Sequence, residues 1–460
     1  MANSISVQNS EIIHVLGIPQ RLKQRPLLRL CRYGMSLAGP MSVSAIHFGA
    51  SILTFHALGA SDFGLFCFAI VITSLSLSVM VALVAAPMMV LTAVPERNEE
   101  MKILCSANAI CSVIAGILCT GLLIAVGAPV LLGALFGLYG TLMCIRAVAR
   151  AYSYIHNDAF EVTIADSIYA LVLAAGFSTL WVVRHQITIT NIALVMMVGA
   201  FISLVFSNGA FLSIQLQAVV RPKLRPYKIM WRHTTRWSFL GVLTSELSAN
   251  AHAYVVTLFA GTGAFGLLSI GSILMRPLNL IMKTLADVEL RSMKGHLGGG
   301  DGAAAILLVK RLDYAGVVLW TATVAAVVAI FRFTPGLLVK GTYSEFDVGV
   351  VASIWLAIAF ARITRNSRSV LLQVSGEFKP LAKVGILASL TSLILTGALL
   401  ASFGPMYSLF GVLLSEVLLT RSVHRLTRLG TQPPMHRTSH SNCASGRNSG
   451  FAFRRVFAKS

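Results

Sequence analysis

A chain of 460 residues that is 56% hydrophobic and only 12% charged departs from soluble globular proteins, which are typically about 45 to 50% apolar and about a quarter charged. With a mean hydropathy of +0.78, this composition makes lipid the solvent of most of the chain and leaves soluble enzymes far behind. The net charge of +20 does not point to nucleic acid, because the basic residues sit between apolar runs and in the two tails with no aromatic-interleaved basic face; it reads as cytoplasmic loops facing anionic lipid.

The N-terminal MANSISVQNSEIIHVLGIPQRLKQRPLLRLCRYG has no long apolar stretch followed by a small-residue cleavage site, so it is not read as a secretory signal. Its mixed apolar and basic residues suit an interfacial helix. A helix needs about 20 apolar residues to cross a hydrocarbon core of roughly 30 Å. Spans are expected near 34–57, 65–89, 103–126, 128–149, 160–183, 190–216, 237–260, 265–288, 313–335, 348–372, 381–402 and 405–423. The predicted fold class is all-α, a polytopic membrane protein of about twelve transmembrane helices.

Lys and Arg should collect on one side of the membrane, and they do. Arg21, Lys23, Arg25, Arg29 and Arg32 precede the first span, and the following loop GASDFG has none. Arg97 and Lys102, then Arg146 and Arg150, then the middle loop RPKLRPYKIMWRHTTR fall on the same side. Later loops continue the alternation, and of 37 basic residues only Arg184, Arg332 and Lys340 fall outside, with Arg276 and Lys283 inside a span. Both termini are therefore expected in the cytoplasm. No outer loop exceeds about 15 residues on these boundaries, which counts against a membrane enzyme with a catalytic outer loop.

Cys31, Cys67, Cys105, Cys111, Cys119, Cys144 and Cys443 form no CxxC pair and no zinc-ligand spacing with histidine. Most lie in or beside apolar runs, where a free thiol acts as a small hydrophobe. No disulfide, metal or cofactor is expected. The tail from about Thr431 is rich in Ser, Arg and His and too poor in apolar residues to fold.

The first outer loop, Gly59-Ala-Ser-Asp-Phe63-Gly64-Leu65, and the loop after span seven, Gly261-Thr-Gly-Ala-Phe265-Gly266-Leu267, both fit GxxxFGL, 202 residues apart. Each joins the first two spans of a half, and six spans return the chain to its starting side. The halves are thus read as parallel repeats about an axis along the membrane normal, although a tight glycine turn with a phenylalanine interface anchor is also simply a convenient hairpin. The expected organisation is a basic segment 1–33, a six-helix lobe 34–217, a basic linker 218–236, a second lobe 237–423 and a tail 424–460. Two such lobes suit a transporter that rocks around a central cavity, and without a GxxxxGK[ST] loop the chain is not its own ATPase.

LGASDFGLF, its echo AGTGAFGLLSIG and Arg276-Pro277-Leu278 in GSILMRPLNLIMKTLADV make the chain resemble the polysaccharide branch of the MOP exporter superfamily, the Wzx-type flippases. The drug-exporting MATE branch usually shows a Gln-x-Leu-Gly-like stretch after spans two and eight, where this chain has PERNEEMK and ELRSMKG. The resemblance implies two six-helix lobes around a V-shaped cavity and the flipping of a polyprenyl-pyrophosphate-linked oligosaccharide across the bacterial cytoplasmic membrane. Its implied partners are that glycolipid, membrane lipid, and a polysaccharide polymerase with its export machinery, with no nucleic acid. The alternative within the same fold is an ion-coupled multidrug exporter.

Charge inside hydrocarbon is expensive and needs a reason. Arg276, near the middle of span eight, is either a cationic site for the pyrophosphate or the partner of Glu246 on span seven. Lys283, two turns on, extends a positive track or snorkels to the interface. Span seven is unusually polar, and Thr244, Ser245, Glu246, Ser248, Asn250 and His252 line a cavity or bond neighbouring helices. Asp166 in span five and Glu246 are candidates for proton or cation coupling, although Asp166 could pair with Arg146 or Arg150. Those two arginines, one turn apart, would gather a diphosphate at the cytoplasmic mouth or serve as positive-inside anchors. His47 and His252 hold matching places in the two halves and read as hydrogen-bonded packing residues.

Overall fold

The computed structural model describes residues 26–91, 98–156, 158–183, 187–298, 301–338, 343–375 and 377–430. The expectations for residues 1–25 and for the tail beyond 430 lie outside this range. Helix α1 (Pro26–Ala57) begins eight residues before the predicted span. Helix α2 (Ala60–Met80) runs on through a π-helical turn, Val81–Ala85, into Ala86–Leu91. Helices α3 (Asn98–Ala125), α4 (Val130–Ile155) and α5 (Ala159–Val183) follow the predicted spans.

Span six, expected as a single crossing over 190–216, is two helices, α6 (Ile189–Val205) and α7 (Gly209–Val220), with axes bent by 108°. The Asn208 side chain accepts the Phe211 backbone N–H and starts a new helix, a capping role that hydropathy does not register. In the second half come α8 (Arg236–Ala260), α9 (Thr262–Leu274), α10 (Arg276–Gly298), α11 (Gly302–Phe333), α12 (Glu345–Val374), α13 (Phe378–Phe403) and α14 (Leu409–Gly430). The α9–α10 pair makes up predicted span eight and bends by 49° at Met275, next to Pro277, which lacks a backbone N–H. Gly127, Gly261 and Gly404 end helices at positive φ of 93°, 86° and 93°, a conformation glycine adopts without a Cβ clash.

Among the described residues, eight helices are long and apolar enough to cross a membrane, and the two bent pairs bring the number to ten. The two remaining predicted spans are α1 and α8, equally long but interrupted by serines, histidine and, in α8, Glu246. Polar residues on a lipid-embedded helix must face other helices or water, which places the polar faces of α1 and α8 away from lipid.

The packing repeats between the halves. α1 packs on α5, α3 on α4, α4 on α6 and α5 on α6; correspondingly α8 packs on α13, α11 on α12, α12 on α14 and α13 on α14. Across the halves, α2 meets α8 and α9, and α1 meets α10. Close approach within the first half rests on small residues, as expected where lipid supplies no hydrophobic drive between helices. A Cβ on Gly116 of α3 would come within 2.7 Å of the Gly137 carbonyl of α4, and one on Gly137 within 2.6 Å of the Gly116 carbonyl.

Candidate functional site

The bend between α9 and α10 sets Arg276 at the first turn of α10, facing α1. Its Nη1 donates to Ser51 Oγ at 2.7 Å and to the His47 carbonyl at 3.4 Å. Among the described residues no carboxylate lies within ion-pair distance of it. The alternative pairing with Glu246 is not formed: Glu246 instead accepts from Ser78 Oγ of α2 at 2.6 Å and from Asn250 Nδ2 at 2.9 Å. Arg276 is half-buried, while Asn279 and Lys283, three and seven residues on, are exposed on the same face of α10. The sequence reading named Arg276 and Lys283 but passed over Asn279, an uncharged residue whose signal is only its helical spacing between them.

The polar run of α8 divides by helical position. Ser245 is exposed, and Glu246 and Asn250 are half-buried, Glu246 meeting α2. Ser248 and His252 are buried inside the second half, where the Ser248 carbonyl accepts from Ser392 of α13 and the His252 ring packs edge-on against Trp355 at 5.2 Å. Helix bonding by Ser248 and His252 thus occupies one face of α8, and the more exposed Ser245, Glu246 and Asn250 another.

Asp166 is fully buried and held between two guanidiniums: Arg146 Nη2 reaches Oδ1 at 2.6 Å and Arg150 Nη2 reaches Oδ2 at 3.2 Å. The Arg146 side chain is itself only 2% exposed and stacks on the Tyr169 ring at 4.3 Å. Tyr169 Oη pairs with His47 Nε2 at 3.0 Å and with Tyr139 Oη at 3.2 Å. A polar chain therefore links α1 to α5 and α4. A burial of this depth gives Arg146 and Asp166 a structural partner each, and sets them away from a solvated mouth.

The second half repeats this device with residues that sequence reasoning missed. Glu416 of α14 accepts from Arg362 Nε at 2.8 Å and lies 2.7 Å from Arg365 Nη1, both arginines being on α12, the counterpart of α4. By loop charge alone, Arg362 and Arg365 read as basic residues at the inner end of span ten. The available signal was a lone carboxylate inside predicted span twelve together with three arginines, Arg362, Arg365 and Arg368, in the inner part of predicted span ten, since unpaired charges at such depth would be prohibitive.

The two GxxxFGL hairpins touch each other. Ser61 and Thr262 share a hydrogen bond at 2.8 Å, Phe68 and Phe265 meet edge to face at 6.2 Å, and Tyr343 Oη donates to the Gly263 carbonyl at 3.0 Å. At the other end of α2, Ser78 bonds Glu246 and the Tyr227 hydroxyl donates to the Leu83 carbonyl at 2.8 Å.

Repeated six-segment halves, joined through α2 with α8 and α9 and carrying a lone guanidinium at their seam, define a polytopic membrane protein of the MATE-like fold. No family profile matches the sequence, and no curated protein matches it. Among solved structures, the chain is similar to the lipid II flippase MurJ in an inward closed conformation, at 13% identity and a TM-score of 0.65, covering 86% of this chain and 87% of that one. It is also similar to a multidrug resistance MATE family transporter of the MOP superfamily in its inward-facing conformation, at 12% identity and a TM-score of 0.61, covering 86% and 98%. A third is a MOP superfamily transporter from Pyrococcus furiosus, at 12% identity and a TM-score of 0.55, covering 86% and 94%. At these identities the likeness establishes the fold.

Proposed function

We propose that this protein flips a polyprenyl-pyrophosphate-linked oligosaccharide across the bacterial cytoplasmic membrane by alternating access, for exopolysaccharide, O-antigen or capsule synthesis. The observation that carries this reading is Arg276, a guanidinium inside a membrane span with only neutral partners, continued by Asn279 and Lys283 along one face of α10. A guanidinium binds phosphate oxygens in bidentate fashion, and the oligosaccharide's polyprenyl tail would stay in lipid. Ser245 and Asn250 of α8 supply hydroxyl and amide groups for the head group. That one protein of this fold is a lipid II flippase supports a lipid-linked cargo.

In this reading the lobes are 34–217 and 237–423, both termini are cytoplasmic, and a polymerase with its export machinery receives the flipped unit. Arg146, Arg150 and Asp166 act as a brace within the first lobe. Glu246 has no cationic partner among the described residues, and it is the carboxylate placed to couple a proton or cation. That same feature favours the second reading, an ion-coupled multidrug exporter.

Proteoliposomes loaded with a fluorescent polyprenyl-pyrophosphate oligosaccharide test the choice. Wild type should expose the glycolipid on the far leaflet, and Arg276→Ala should slow this by about tenfold or more, the scale of one lost charge-assisted contact. Gradient-driven accumulation of cationic dyes with no movement of glycolipid would establish the drug exporter instead.

A further inference from the structure

Arg276 belongs to α10 in the second half, yet both acceptors of its Nη1, Ser51 Oγ and the His47 carbonyl, belong to α1 in the first. The guanidinium is therefore a polar tie across the seam where α1 meets α10. Its acceptors are neutral. Its Nε and Nη2 bond no described residue and are not among the buried polar atoms without a partner, so they keep some accessible surface, and Asn279 and Lys283 are exposed on the same face of α10. A phosphate arriving along that face meets these free N–H groups, and its charge-assisted bonds are about twice as strong as a neutral one. Beyond Ser51, towards the hairpins, Phe55, Phe63, Ile270 and Leu338 are buried and line a small apolar cavity, surroundings that are costly for a charged head group to enter.

We propose that the Ser51–Arg276 bond is a cargo-released latch: it holds α1 against α10 in the empty protein, and an anionic phosphate head group displaces Ser51 and frees the two halves to rock. This rests on the reading of Arg276 as the phosphate site. Once displaced, α1 stays with the first half, because His47 remains bonded to Tyr169 of α5 and Gly39 lies against Asp166. The α1–α10 seam is then the one that parts.

The latch makes a prediction that a simple ligand or packing role for Ser51 does not. If cargo must break the bond, removing it beforehand should tighten cargo binding, because the protein no longer spends affinity on opening. Full-length protein in nanodiscs, titrated with farnesyl pyrophosphate and with farnesol as the uncharged control, measures this. Ser51→Ala should bind farnesyl pyrophosphate at least about tenfold more tightly than wild type, the scale set by a single hydrogen bond to a charged group, while Ser51→Thr, which keeps the hydroxyl, should match wild type. Spin labels on non-natural amino acids at Met41 and Lys294, both exposed, should report a longer α1–α10 distance on adding farnesyl pyrophosphate but not farnesol, and in Ser51→Ala without any ligand. Equal or weaker binding by Ser51→Ala, with unchanged label distances, would overturn the latch while leaving the phosphate site intact. Failure of wild type to bind farnesyl pyrophosphate at all would overturn the phosphate site and the latch together.

Discussion

Gly64 of α2 and Gly266 of α9 lie in direct contact across the two halves: a Cβ on Gly64 would come 1.7 Å from the Thr262 carbonyl oxygen and 3.1 Å from the Gly266 amide nitrogen. A backbone atom cannot swing aside as a side chain does, so the FG glycines are where one hairpin seats on the other. The matched motif thus marks a contact of the repeat with itself.

Gly64→Ala is therefore expected to force the hairpins apart. Overpacking of this kind costs about 1 to 3 kcal/mol, enough to shift a closed state by roughly fivefold or more. Cysteines at positions 61 and 262, whose native hydroxyls are 2.8 Å apart, should crosslink readily in the wild-type background and several-fold less in Gly64→Ala. Gly266→Ala should act more mildly, because its nearest obstacle is the Tyr343 hydroxyl, the end of a movable side chain, at 2.6 Å. The reverse ranking would mean that the hairpin contact is not the constraint.

The two carboxylate clamps should differ in what they contribute. Breaking a buried ion pair by removing one partner typically costs about 3 to 5 kcal/mol, because the other charge is stranded. Asp166→Asn strands Arg146, only 2% exposed, whereas Glu416→Gln strands Arg362 and Arg365, which at 22% and 21% exposure retain access to water. Thermal unfolding in detergent should show the larger loss for Asp166→Asn. A double change of Arg146 and Asp166 to leucine should recover part of it, since the one guanidinium left without its carboxylate, Arg150, is 30% exposed and keeps access to water.

Glu246→Gln keeps acceptors and donors for Ser78 and Asn250 while removing the negative charge, so the protein should fold normally. Transport in proteoliposomes with and without an imposed proton or sodium gradient should then lose its gradient dependence but keep cargo binding. Gradient dependence that survived the change would move the coupling group elsewhere.

Much of the architecture is legible in the sequence because it is local. Hydropathy over about 20 residues and the alternation of loop charge placed a helix or a bent helix pair in each predicted span, eight to ten of them apolar enough to cross a membrane among the described residues, and the GxxxFGL echo pointed to halves whose packing pairs recur in the structure. Even so, the 108° break between α6 and α7 escaped, because Asn208 acts through a single capping bond.

What the sequence by itself determined is the solvent of the chain, the order of its helices and the short roll of charges buried in them. Tertiary structure alone decided which of those charges are neutralised. Asp166 took both arginines, Glu416 took Arg362 from 54 residues away, and Arg276 was left with Ser51 and the His47 carbonyl, more than 220 residues distant. Pairing depends on the rotation of each helix about its axis and on neighbours remote in the chain, and neither is written in any local window.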